Sequence, residues 1–168
     1  MAFPFTHLVL AWGGGKVYEF MRKVSLDRYT WAFLLLGGIL PDADLLLDWT
    51  LGTELHRTFS HSILFALIMG ILVYGFFYQN PLRKQYAMAM AIGIASHLIL
   101  DLIGFPGGFS LFWPAKFFLS TANDAAIRTA LFEEDMVFLS GHLKLAVLDI
   151  AIGIAWIAYL SWKKKIQF

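Results

Sequence analysis

Three blocks of the chain stay apolar for close to the roughly 20 residues that a bilayer core requires of a helix. Ser62 to Gln79 is apolar and stops at Asn80-Pro81, a natural helix end. Tyr86 to Phe105 is apolar except for Ser96, His97 and Asp101. Lys144 to Trp162 is apolar except for Asp149 and Ser161, and it runs into Lys163-Lys164-Lys165. Two further blocks are weaker. In Trp31 to Leu47 the pair Gly37-Gly38 and Pro41 interrupt the pattern, which predicts a helix ending near Leu40 with an acidic loop around Asp42 and Asp44 beyond it. Phe5 to Phe20 contains Gly13-Gly14-Gly15, and each glycine costs a helix about 1 kcal/mol relative to alanine. The pattern predicts an all-α fold: a polytopic membrane helical bundle of about five transmembrane or re-entrant helices. With no repeat and no long polar linker, residues 1–168 read as a single membrane-embedded domain.

Composition strengthens the membrane reading. Of the 168 residues 59% are hydrophobic and 15% charged, against roughly 25% charged in an ordinary soluble domain. A net charge of +1 gives no reason to expect a nucleic-acid partner; membrane lipids are the expected surroundings. The start has no basic stretch ahead of an apolar one, so no cleaved secretory signal is expected. Basic residues orient the segments. Arg22, Lys23 and Arg28 lie between the first two, Arg83 and Lys84 between the third and fourth, and Lys163 to Lys165 after the last. Placing all three groups in the cytoplasm lets five crossings alternate. The amino terminus is then outside and the carboxyl terminus cytoplasmic, in a cell (inner) membrane. The connection from Pro106 to Gly141 falls outside, with Phe112, Trp113, Phe117 and Phe118 suited to the interface.

That topology brings scattered ligand-type residues to one leaflet. His7 opens the first segment and Asp42 and Asp44 close the second. His56 and His61 bracket the entry to the third, and His97 and Asp101 lie near the end of the fourth. His97 and Asp101 are four apart and share a helix face. There is no cysteine, so any metal must be held by nitrogen and oxygen. Imidazole with carboxylate suits zinc, manganese or iron. Seven such residues exceed the four that one tetrahedral zinc uses, which points to two or three ions. Each residue has a plainer reading: a hydrogen-bonded core histidine, an Asp that caps a helix after Pro41, an intrahelical His97–Asp101 bond. None of these explains the shared leaflet. Arg57 reads equally as a phosphate binder and as a side chain snorkelling to the headgroups. Asp149 reads as a packing hydrogen bond, and Ser60 and Ser96 as ordinary helix residues.

The runs Thr6-His7, Gly38-Ile39-Leu40-Pro41-Asp42-Ala43-Asp44, His56-Arg57-Thr58-Phe59-Ser60-His61-Ser62 and Ser96-His97-Leu98-Ile99-Leu100-Asp101 resemble the YdjM-like family of membrane-bound, metal-dependent hydrolases. The resemblance covers roughly residues 4 to 115. The motif order also resembles the zinc-dependent phospholipase C and single-strand nuclease superfamily, all-helical proteins with a trinuclear zinc site. It implies metal ligation by His7, Asp42, His56, His61, His97 and Asp101, with Asp44 as a ligand or just behind one. The later His-x-x-x-Glu pair of the soluble superfamily is missing, since His142 is followed by Ala146. The implied function is hydrolysis of a phosphoester or related bond in a lipid or lipid-linked substrate. Arg57 would bind an anionic oxygen, and Asp44 or Asp48 would accept a proton. Two rivals use the same residues differently: a metal-ion or proton transporter, and a non-enzymatic membrane protein with a structural metal.

Overall fold

The structure, a computed structural model, describes residues 4–52, 58–104, 111–115 and 135–163. Among these the chain is all-helical. Helix α1 runs Pro4–Arg22, α2 Arg28–Ile39, a 3-10 turn Leu40–Ala43, α3 Asp44–Leu51, α4 Ile63–Phe76, α5 Arg83–Gly104 and α6 Asp135–Trp162.

Helix α1 passes unbroken through the three glycines that weaken it in sequence. At Gly15 a Cβ would lie 2.5 Å from the Trp31 ring, so the missing side chain is what lets α2 pack there. The start of α1 is held from another helix. Asp149 of α6 accepts the backbone N–H groups of Phe5 (3.1 Å) and Thr6 (2.7 Å) and the Thr6 hydroxyl. Mid-helix Asp149 thus makes the packing hydrogen bond expected of it, and that bond satisfies amides the first turn of α1 leaves open. At the other end Glu19 accepts from Leu26 N–H (2.8 Å) and Trp31 Nε1 (3.2 Å), fixing the link to α2. Asp27 caps α2 through the N–H groups of Tyr29 and Thr30.

The acidic loop expected beyond Leu40 is folded instead. Pro41 cannot continue α2, but its fixed φ suits the first turn of a new helix. The chain makes a 3-10 turn and enters α3, which ends at Gly52 in the left-handed conformation (φ 65°). Ser62 caps α4 by accepting from Phe65 N–H. Helix α6 starts at Asp135, ahead of the expected Lys144.

Helix α5 is the centre of the packing. Its Tyr86, Met90, Ile94 and Leu98 form the core with Ala66 and Val73 of α4. Against α2 the backbones themselves meet. A Cβ on Gly93 would stand 2.3 Å from the Leu34 carbonyl, and one on Gly37 2.5 Å from that of Met90. Small residues permit this approach, a common device where helices cannot use water to drive them together.

Among the described residues two helices are long and apolar enough to cross a membrane, Arg83–Ile103 and Leu143–Trp162. This is narrower than the five crossings read from sequence. The 14 residues of α4 reach about 21 Å and the 12 of α2 about 18 Å, short of a hydrocarbon core of about 30 Å. The outward faces are nevertheless apolar: Leu67, Ile71, Ile103, Val147 and Ile154 are all exposed. A soluble surface rarely carries so continuous an apolar area.

Candidate metal centre

Four elements deliver their polar residues to one buried point. His7 comes from the first turns of α1 and Asp42 from the 3-10 turn. His61 comes from the turn before α4, and His97 and Asp101 from successive turns of α5. Asp44, the first residue of α3, lies directly behind His61. The side chains of His7, His61 and His97 are 0% exposed, that of Asp101 3% and that of Asp42 18%.

The same four atoms recur in the distances. His61 Nε2 is 3.4 Å from His97 Nε2, 3.5 Å from Asp42 Oδ1 and 3.4 Å from Asp101 Oδ2. His97 Nε2 is 3.5 Å from Asp42 Oδ1 and 3.6 Å from Asp101 Oδ2. These spacings exceed a good N–H···O bond of about 2.9–3.0 Å. They match a different figure. Ligands held tetrahedrally about 2.0–2.1 Å from a zinc-type ion stand about 3.3–3.4 Å apart. The cluster Asp42, His61, His97 and Asp101 therefore has the donor set and spacing to hold a metal ion.

The outer hydrogen bonds fix which nitrogen faces inward. His97 Nδ1 lies 2.9 Å from the Gly38 carbonyl, which can only accept, so Nδ1 carries the proton and Nε2 offers a lone pair. Ser60 donates its one hydroxyl proton to Asp44 Oδ2 and stands 3.0 Å from His61 Nδ1. Its oxygen is left to accept, so His61 also carries its proton on Nδ1 and presents Nε2 to the cluster. An oriented imidazole backed by a carboxylate or carbonyl is the usual support of a metal-ligating histidine.

His7 adds a second observation. Its ring stacks on His97 at 3.8 Å between centroids, and its Nε2 is 3.5 Å from Asp101 Oδ1. Neither ring nitrogen has a hydrogen-bond partner although the side chain is buried. Buried polar atoms are rarely left so without a missing partner. Asp101 thus turns one oxygen to the four-atom cluster and the other to His7.

Electrostatics point the same way. Burial resists charge on His61, but the carboxylates of Asp101, Asp42 and Asp44 outweigh it and push the ring up to about 10. Burial alone would raise Asp42. The imidazoles of His61 and His97 dominate and hold its carboxyl well below the usual carboxylate range. Acidic groups this enclosed require positive charge among them, supplied by imidazole protons or by a cation that displaces them.

Of the residues singled out in sequence, His7, Asp42, Asp44, His61, His97 and Asp101 come together. His56 and Arg57 lie outside the described residues. Ser60 is not the helix residue expected: it sits in the buried turn before α4, bonded to Asp44. Its position between Ser62 as helix cap and Asp44 sixteen residues back is a tertiary fact, which local sequence did not carry. The Gly38 carbonyl was equally invisible.

A family model described as YdjM inner membrane protein matches residues 1–166 of the chain. No curated protein and no solved structure matches it.

Proposed function

The chain belongs to the YdjM inner membrane protein family, and on that premise we propose that it is an integral membrane hydrolase that depends on a divalent metal. The substrate is a phosphoester or related bond of a lipid or lipid-linked molecule, met at headgroup level on the outer face. One observation carries the reading: five distances of 3.4–3.6 Å among two imidazole nitrogens and two carboxylate oxygens, in a largely buried site.

Asp42, His61, His97 and Asp101 would hold the first ion, with zinc favoured by the nitrogen and oxygen set and manganese or iron the alternatives. His7 and Asp101 Oδ1 offer donors for a second, and His56 is a further ligand by resemblance. Bound there, a divalent ion supplies Lewis acidity and brings the pKa of water toward neutrality. The chain's own groups do the rest. Asp44 and Ser60 hold the His61 ring in place, so Asp44 acts behind a ligand. Arg57 binds the anionic oxygen of the substrate, as a guanidinium does well. Beneath the cluster α5 continues with Ile94 and Met90, both buried and apolar. An ion pathway needs polar groups there, which favours hydrolysis over transport.

The bundle crosses the membrane with its basic ends, Arg22, Lys23, Arg28, Arg83, Lys84 and Lys163, toward the cytoplasm. A topology reporter fused after Lys165 should read cytoplasmic and one inserted near Asp124 external; the reverse pattern would move the site to the inner face. For activity, the protein reconstituted in vesicles is offered a panel of phospholipids and phosphoesters. Chelator-sensitive hydrolysis that disappears in His97→Ala is expected. A panel left intact by metal-loaded protein would refute the hydrolase.

A further inference from the structure

Along α5 from Lys84 to Ser96 a cavity of about 750 Å³ opens between α1 and α5, with α2 as its floor. Lys84, Met88, Ile92 and Ser96 follow one another at four-residue spacing along its α5 wall. Twelve residues at 1.5 Å each make the groove about 18 Å long, close to the ~15 Å hydrocarbon depth of one leaflet. The walls are apolar and partly bare: Leu10, Tyr18, Met88 and Ile92 are each 41–60% exposed. Gly14 and Gly15 on α1 and Ala89 on α5 leave the space.

Several polar groups of the groove are engaged. Ser96 donates to the Gly93 carbonyl (2.7 Å), and Thr30 and Gln85 are bonded to each other and to Asp27. Lys84, the one charged residue that lines the groove, stands at the mouth, exposed and without an ion pair among the described residues. Arg22 and Lys23 close α1 at the same end, while the acids there, Glu19 and Asp27, are taken up by Lys16, Trp31 and the α2 cap. The groove is therefore an apolar slot one leaflet deep with an uncompensated cation at its entrance.

We propose that this groove binds one acyl chain of an anionic glycerophospholipid from the surrounding bilayer, with the phosphate held at Lys84. The chain runs toward Ser96, and none of Asp42, His61, His97 and Asp101 lines the groove, so this lipid is not the substrate of the reaction above. Cationic side chains near the membrane surface recognise anionic headgroups, and burial of the chain's methylenes supplies the affinity.

The full chain in a non-ionic detergent, delipidated and titrated with phosphatidylglycerol or phosphatidylethanolamine of matched chains, tests this by native mass spectrometry. The wild type should retain one phosphatidylglycerol about fivefold more than phosphatidylethanolamine, the factor one basic side chain gives. Lys84→Gln, an exposed position, should remove the preference. Gly14→Leu should lose both lipids, since a Cβ at Gly14 meets nothing within 4 Å and the larger side chain fills the slot. Bound metal should be unchanged in both variants. Equal retention of the two lipids by the wild type, a preference that survives Lys84→Gln, or full binding in a folded Gly14→Leu would each overturn the assignment. A lipid-free dimer would give the groove to a second copy of the chain and overturn it as well.

Discussion

Ser60 has one proton to give and gives it to Asp44, which leaves its oxygen for His61 Nδ1. That chain of two bonds fixes the face His61 turns to the cluster. Ser60→Ala and Asp44→Asn should each weaken metal binding about 10- to 100-fold, the usual cost of an outer partner, without abolishing it. Competition against a chromophoric chelator reads this; unchanged affinity in both would remove Asp44 from its supporting role. His7 makes a separable case. If its bare nitrogens serve a second ion, His7→Ala should keep the ion at the four-atom cluster and lose the other. Among the residues, the ligand types and their convergence on one site were legible in sequence, because the alternation of apolar segments brings their ends together. Ser60 and the Gly38 carbonyl were not, because only the packed turns bring them to the rings.

At the scale of elements the site depends on how helix ends are pinned. Asp149→Asn leaves the first amides of α1 poorly satisfied, one residue from His7. A loss of about 1–2 kcal/mol, the range for a removed cap, is expected as a lower melting temperature. Gly93→Ala sets a Cβ against the Leu34 carbonyl and should cost about 1–3 kcal/mol by overpacking. Unaltered melting would mean that α2 and α5 are not in backbone contact. Asp27 gives a pH dependence. Burial works to raise its carboxyl, but the Thr30 hydroxyl and the N–H groups of Thr30 and Tyr29 win and lower it. A lowered folded pKa stabilises above the unfolded value of about 3.9 and is lost as pH falls through the folded one. The gap in melting temperature between wild type and Asp27→Asn should be full at pH 7 and close below about pH 4; a gap constant over that range would contradict it. Helix positions were largely readable from the apolar blocks. The glycine run in α1 and the acidic stretch after Pro41 misled local reasoning, since Trp31 packs on Gly15 and Pro41 starts a turn as readily as it ends α2.

For the whole molecule, two candidate spans among the described residues and an apolar outer surface agree with an inner membrane family, and the Asp/His cluster gathers between the helices. The number of crossings was the least legible feature. It depends on how short helices such as α2 and α4 sit in the bilayer, which their composition leaves open. Everything proposed for the site depends on a cation among Asp42, His61, His97 and Asp101. Elemental analysis of the full chain purified in detergent measures it. About one or more equivalents of divalent metal per chain are expected, zinc first. His97→Ala and Asp101→Ala, folded by circular dichroism, should fall to a small fraction of that. Sub-stoichiometric metal in the wild type and in both variants alike would contradict the metal centre.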